Sequence, residues 1–237
     1  MLLRAIHRFF ADHLFYPIVL SSLLAMGIFI ARVIYTRNWF IYRNLVWNLF
    51  LAWLPYLFAL LAVCLHQAKP RQWWWLIILA GFWLAFFPNA PYIITDFFHL
   101  EARPPVPLWY DILLLVAFTW TGLFLGLTSL RAIHLIVESY FGRLLGWCFA
   151  VFSLALGGLG IYLGRFARWN SWDLLNQPKQ IIKDILEPLV NPTTNLRFFG
   201  FTFLFTSFLV VCYLMFISTQ RVNDSKEAQV KTIKGRV

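Results

Sequence analysis

The chain is 237 residues long, 61% hydrophobic and only 13% charged, where a soluble domain carries about 25% charged residues. Lys and Arg exceed Asp and Glu by ten. They sit at the ends of apolar runs rather than on one basic face interleaved with stacking aromatics, which argues against nucleic acid as a partner and for anionic lipid headgroups. The three cysteines lie inside apolar runs and offer neither a disulfide framework nor a zinc spacing.

Windows of ~20 apolar residues, each long enough to cross a bilayer as a helix, recur along the chain. Short alternating segments of the β-barrel kind are absent. The expected fold is all-α: a polytopic helical membrane protein with about six transmembrane helices plus short interfacial helices. Spans are predicted near residues 14–35, 45–66, 73–88, 108–130, 144–164 and 198–218, forming one transmembrane domain over 1–220. Residues 221–237 read as a polar, basic, disordered tail. The first span follows Arg4 and Arg8, but its apolar run is long for a leader, so it reads as a retained anchor.

Six spans place both termini on one side, with 11 of the 20 basic residues. Positive charge favours the cytoplasm, so the expectation is a multi-pass cell-membrane protein with cytoplasmic termini. The same topology puts the connections after spans 1, 3 and 5 on one shared face.

The third span enters through Gln72-Trp73-Trp74-Trp75, an aromatic belt, and leaves in FPNAPYIITDFFHLEARPP, residues 86–104. Pro88 and Pro91 predict a helix break, with Asn89 as the N-cap of a new helix. On that helix Tyr92, Thr95, Asp96 and His99 would share one face, in a narrow polar stripe flanked by apolar residues. Such a helix belongs at the membrane interface. Asp96 and His99 are candidate acid–base groups or, more weakly, metal ligands. Two ligands are too few for a metal site, and a structural Asp–His hydrogen bond explains them equally.

Two further helices carry glycine pairs that allow close backbone approach: Gly122 and Gly126 in span 4, and Gly157, Gly158, Gly160 and Gly164 in span 5. The two sets lie at different depths, so they imply separate contacts. Asp111 opens span 4 near the shared face and is a third candidate acid–base group. Arg131, His134 and Glu138, on the opposite side, read as ordinary surface pairing.

After span 5 come Arg165, Arg168, Trp169, Asn170, Trp172 and Asp173. The cluster reads either as an interfacial anchor or as an anion clamp built on arginine. Asn170 and Asp173 have the spacing of a helix start. Pro178 to Leu189 then forms an amphipathic helix expected to lie flat on the membrane over the shared face.

FPNAPYIITDFFHL and GRFARWNSWDLL resemble the bacterial multi-pass membrane family catalogued as domain of unknown function 1361. The residues carrying the resemblance are Pro88, Asn89, Pro91, Tyr92, Asp96 and His99, then Arg165, Phe166, Arg168, Trp169, Asn170, Trp172 and Asp173. The resemblance implies a bacterial inner-membrane location and no activity.

Three functions stay open at this level. One is a polar pocket at the shared face, formed by Asn89, Tyr92, Asp96, His99, Arg165, Arg168, Trp169, Asn170 and Asp173, that binds an anionic headgroup or solute. The second is a membrane-embedded hydrolase or transferase using Asp96 and His99, helped by Asp111 or Asp173. The third is a structural or assembly partner of another membrane protein. No cofactor is expected, and no inverted repeat points to transport.

Overall fold

A computed structural model describes residues 2–68 and 73–234. Its helices, in chain order, are α1 (Leu2–Asp12), α2 (Phe15–Thr36), α3 (Arg43–Ala68), α4 (Trp73–Phe86), α5 (Asn89–Tyr92), α6 (Leu108–Tyr162), α7 (Asp173–Asn176), α8 (Pro178–Val190) and α9 (Leu196–Lys234). A 3₁₀ helix (Ile93–His99) follows α5, and a π-helical turn (Leu163–Ala167) follows α6. Lys69, Arg71 and Gln72, which entered the orientation and aromatic-belt expectations, lie outside the described residues.

Among the described residues the fold is all-α, and five helices are long and apolar enough to cross a membrane. The fourth of these, Leu108–Ala167, is 60 residues long because α6 is a hairpin. Gly142 takes a non-helical conformation, φ 83° and ψ 170°, and the chain folds back on itself there. Trp147 meets His134 at 5.0 Å between rings, and a Cβ at Gly146 would stand 3.0 Å from Glu138. A side chain other than hydrogen would hold the arms apart. The two predicted spans 108–130 and 144–164 are the two arms.

α6 is the centre of the fold, packing against α2, α3, α5 and α9. One apolar core joins α3, α4, α6 and α9 around Trp83, Leu130, Ala150 and Tyr213. A second joins α2, α3, α5 and the first α6 arm around Ala25, Leu49, Ile93 and Phe118. His134 is fully buried, not a surface residue, and its Nδ1 meets the Tyr213 hydroxyl at 2.7 Å. The expected pairing with Glu138 is present, His134 Nε2 lying 3.8 Å from its carboxylate, but not at the surface, because α9 covers that face of α6.

Two elements depart from expectation at the ends of the chain. α1 is an amphipathic helix before the first span, with Leu3 and Ile6 exposed. α9 runs on to Lys234, through a stretch expected as disordered tail. Residues 221–234 contain neither Pro nor Gly, so nothing in them interrupts a helix already nucleated by the span. Residues 235–237 lie outside the described residues.

Glycines of both α6 arms meet the turn after α4, and Gly158 makes a separate contact with α9, where a Cβ would come 2.5 Å from Thr206 Oγ1. At Gly122 a Cβ would come 2.5 Å from the Ala90 carbonyl oxygen, and at Gly160 one would come 2.6 Å from Pro88. The stretch from Phe87 to Ile93 is thus clamped between the two arms of α6. That clamp positions the candidate site.

Candidate anion-binding pocket

The break after α4 follows from its prolines. Pro91 has no N–H for the Phe87 carbonyl, which accepts from Ala90 at 3.2 Å instead. The Phe86 carbonyl thereby loses its own partner, and the Asn89 side-chain amide donates to it at 3.0 Å. Asn89 therefore closes the end of α4. It is not the N-cap of the next helix, where no side-chain cap is formed.

The next turn is 3₁₀ rather than α, which splits the expected polar stripe. With three residues per turn, i and i+3 eclipse, so Asp96 and His99 fall in column with Ile93 while Tyr92 turns elsewhere. Asp96 and His99 line one cavity of about 370 Å³, together with Tyr42, Asn44 and Arg103. Asn89 and Tyr92 line another of about 320 Å³, together with Arg168, Trp169 and Asn170. One site predicted from sequence is two pockets in the fold.

Asn48 stands in the wall between them. It lines the second cavity and donates its side-chain amide to Asp96 at 2.8 Å. Arg165 backs the same wall: one guanidinium nitrogen donates to His99 Nε2 at 3.1 Å, lies 4.0 Å from Asp96, and the group sits over the Phe98 ring at 5.0 Å. Since Arg can only donate, Nε2 is the acceptor and a neutral His99 carries its proton on Nδ1.

Asp111 joins neither pocket. Arg32 grips it with two hydrogen bonds of 2.6 and 3.0 Å, and both side chains are 1% exposed. An acid held bidentately by a buried arginine is part of the framework, tying the end of α2 to the start of α6. The Arg32 and Arg103 guanidinium carbons stand 5.1 and 5.2 Å from the Tyr42 ring centre. Burial first, then the Asp111 carboxylate, push the Tyr42 phenol up from its ordinary value.

The segment after α6 is shaped by the π-helical turn. The Leu163 carbonyl accepts from the N–H groups of both Arg168 and Trp169, and Arg168 takes the left-handed conformation, φ 60° and ψ 31°. This is the position after a helix end where glycine is usual. Asp173 accepts from the Asn170 backbone N–H at 2.8 Å and from its side-chain amide at 3.2 Å, which closes the turn before α7. The expected cap at Asn170 is not formed, because α7 starts at Asp173 with Trp172 in the N-cap position. Asp173 does not line the pocket. The Trp169 indole donates to Asp184 at 2.7 Å, fixing α8 above the pocket, where Ile181 joins the lining.

The two polar segments meet directly where Asn89 donates to the Ser171 hydroxyl at 2.8 Å. Trp47 reaches Trp172 at 6.5 Å between rings. The pocket thus gathers α3, the turn after α4, the end of α6 and α7–α8. Trp47, Asn48 and Ser171 were not anticipated. Asn44 and Asn48, one helical turn apart beside Trp47, carry the signal that finds the first two. Among the pocket's lining residues Arg168 is the one charged side chain. Among the described residues it has neither an ion-pair partner nor a hydrogen-bond partner, because the acids nearest in sequence serve Asn170 and Trp169.

Among the described residues no three His, Cys, Asp or Glu side chains converge as metal ligands. No curated protein and no solved structure matches the chain. A family model does match, over residues 47–212, from the start of α3 into α9, and it contains every residue of the second pocket. The chain belongs to the family described as Protein of unknown function (DUF1361).

Proposed function

We propose that the protein is a multi-pass cell-membrane protein, with cytoplasmic termini, that binds an anionic phosphate or carboxylate group in the pocket under α8. Arg168 carries this reading. A residue in the left-handed region costs about 1–2 kcal/mol unless it is glycine, so the position favours a residue this chain does not use there. What arginine brings instead is an unpaired guanidinium beside the amides of Asn48 and Asn170, each of which gives one N–H to an aspartate and keeps a second to offer an oxyanion.

Binding is favoured over catalysis because each candidate acid–base group is already engaged: Asp96 by Asn48, His99 by Arg165 and Asp111 by Arg32. The probe is glycerol 3-phosphate, titrated calorimetrically into the purified protein in neutral detergent. Arg168→Gln is expected to weaken binding about 10- to 100-fold, the worth of a charge-assisted contact. Arg168→Gly is expected to abolish binding while leaving thermal stability unchanged or raised by about 1 kcal/mol. Unchanged affinity in both variants overturns the reading.

A further inference from the structure

The lining of the pocket is of two chemistries. Arg168, Asn48, Asn89 and Asn170 supply its polar lining, and Leu51 and Ala85, each about one helical turn further into its span than Asn48 and Asn89, supply apolar lining. Leu51 stands eight residues into α3, about 12 Å along its axis from Arg43 at about 1.5 Å per residue. Ala85 lies one residue before the end of α4. Both belong to helices long and apolar enough to cross a membrane, so the floor of the pocket reaches apolar depth.

The rim is apolar as well. Trp47 on α3 is 52% exposed and Leu174 on α7 is 44% exposed, with Leu175 beside it at 83%. These side chains offer a solute from water no polar partner, whereas a lipid chain sliding in between α3 and α7 passes from one apolar setting to another without exposing hydrocarbon to water. At about 320 Å³ the space is at the small end of ligand pockets, roughly 300–1,000 Å³. It suits a phosphoglycerol headgroup and the first carbons of a chain.

We infer that the anion held by Arg168 is the phosphate of a membrane glycerophospholipid, entering sideways past Trp47 with its acyl chain directed at Leu51 and Ala85. This rests on the anion-pocket reading above, and the experiment separates the two. Dioleoyl phosphatidic acid in mixed micelles and glycerol 3-phosphate are each titrated against the unsubstituted protein, Arg168→Gly and Ala85→Leu. A phosphatidic acid with a photoreactive group near the carboxyl end of its chain is crosslinked to the unsubstituted protein and mapped by mass spectrometry.

Phosphatidic acid is expected to bind about tenfold or more tighter than glycerol 3-phosphate, because confinement to the micelle that surrounds the protein raises its local concentration at the pocket. Ala85→Leu, which narrows the apolar part of the lining, is expected to weaken phosphatidic acid at least about fivefold more than it weakens glycerol 3-phosphate, and the crosslinks fall between Trp47 and Leu51 or around Ala85. Equal affinity for the two probes, both lost in Arg168→Gly, with crosslinks elsewhere, overturns the lipid inference and leaves the anion pocket standing. Affinities that ignore Arg168→Gly overturn both.

Discussion

Asn89 and Ser171 meet at 2.8 Å across 82 residues of chain, joining the break after α4 to the segment after the π-helical turn. The same Asn89 amide group also donates to the Phe86 carbonyl, so one side chain closes a helix and fastens a second element to it. Asn89→Asp keeps the size and removes both donors. It is expected to lower stability by about 1–3 kcal/mol, the range for leaving part-buried acceptors unpaired. Ser171→Ala, which spares the Phe86 bond, should lose only about 1 kcal/mol. Thermal unfolding of both variants in one detergent decides it; equal losses would assign no role to the Phe86 contact.

Arg32 and Asp111 form a buried pair that holds α2 to the start of α6. Removing one partner strands the other's charge in an apolar setting, so Arg32→Met or Asp111→Leu alone should each lower stability by about 3–5 kcal/mol. Replacing both together should recover most of that loss, because two apolar side chains of similar volume need no compensation. A double variant as unstable as the singles would show that the pair does more than neutralise itself.

How much of this was legible in the sequence follows from what is local and what is not. Long apolar helices are legible because a run of apolar residues announces such a helix on its own, and among the described residues five helices are long and apolar enough to cross a membrane. The two polar segments were found because prolines, tryptophans and arginines stand out against that background. Pairings such as Arg32 with Asp111 or Asn48 with Asp96 were not readable, since no local pattern selects a partner 79 or 48 residues away. The stripe from Tyr92 to His99 was misassembled for a different reason. An α-helical period put Tyr92, Asp96 and His99 on one face, and tightening to 3₁₀ moved Asp96 and His99 into their own pocket.

The clamp around Ala90 makes Gly122 intolerant of any side chain. A methyl group there meets the backbone oxygen of Ala90 at 2.5 Å, and backbone of a clamped turn has nowhere to move. Gly122→Ala is expected to destabilise by about 1–3 kcal/mol, the usual range for overpacking, and to disturb the pocket that the turn shapes. Gly27, in the exposed face of α2 with nothing within 4 Å of a Cβ, is the control. There the same change should be neutral or stabilising by up to about 1 kcal/mol, from helix propensity alone. Comparable effects at both sites would refute the clamp.

The separation of the two cavities predicts a difference between His99 and Arg168 that a single shared pocket would not. His99 lines the cavity with Asp96 and Tyr42, on the far side of Asn48 from the anion pocket. His99→Gln keeps a side chain able to accept from Arg165 and leaves the lining around Arg168 untouched. Affinity for glycerol 3-phosphate should therefore stay within about twofold of the unsubstituted protein, while Arg168→Gln loses about 10- to 100-fold. Asn48→Leu is the informative intermediate, because Asn48 belongs to both: it lines the anion pocket and holds Asp96. That variant should weaken the probe by about 5- to 10-fold, one neutral hydrogen bond's worth, and also lower the unfolding temperature by freeing a buried carboxylate. Equal losses in His99→Gln and Arg168→Gln would mean that the ligand spans both cavities and that Asn48 is no wall.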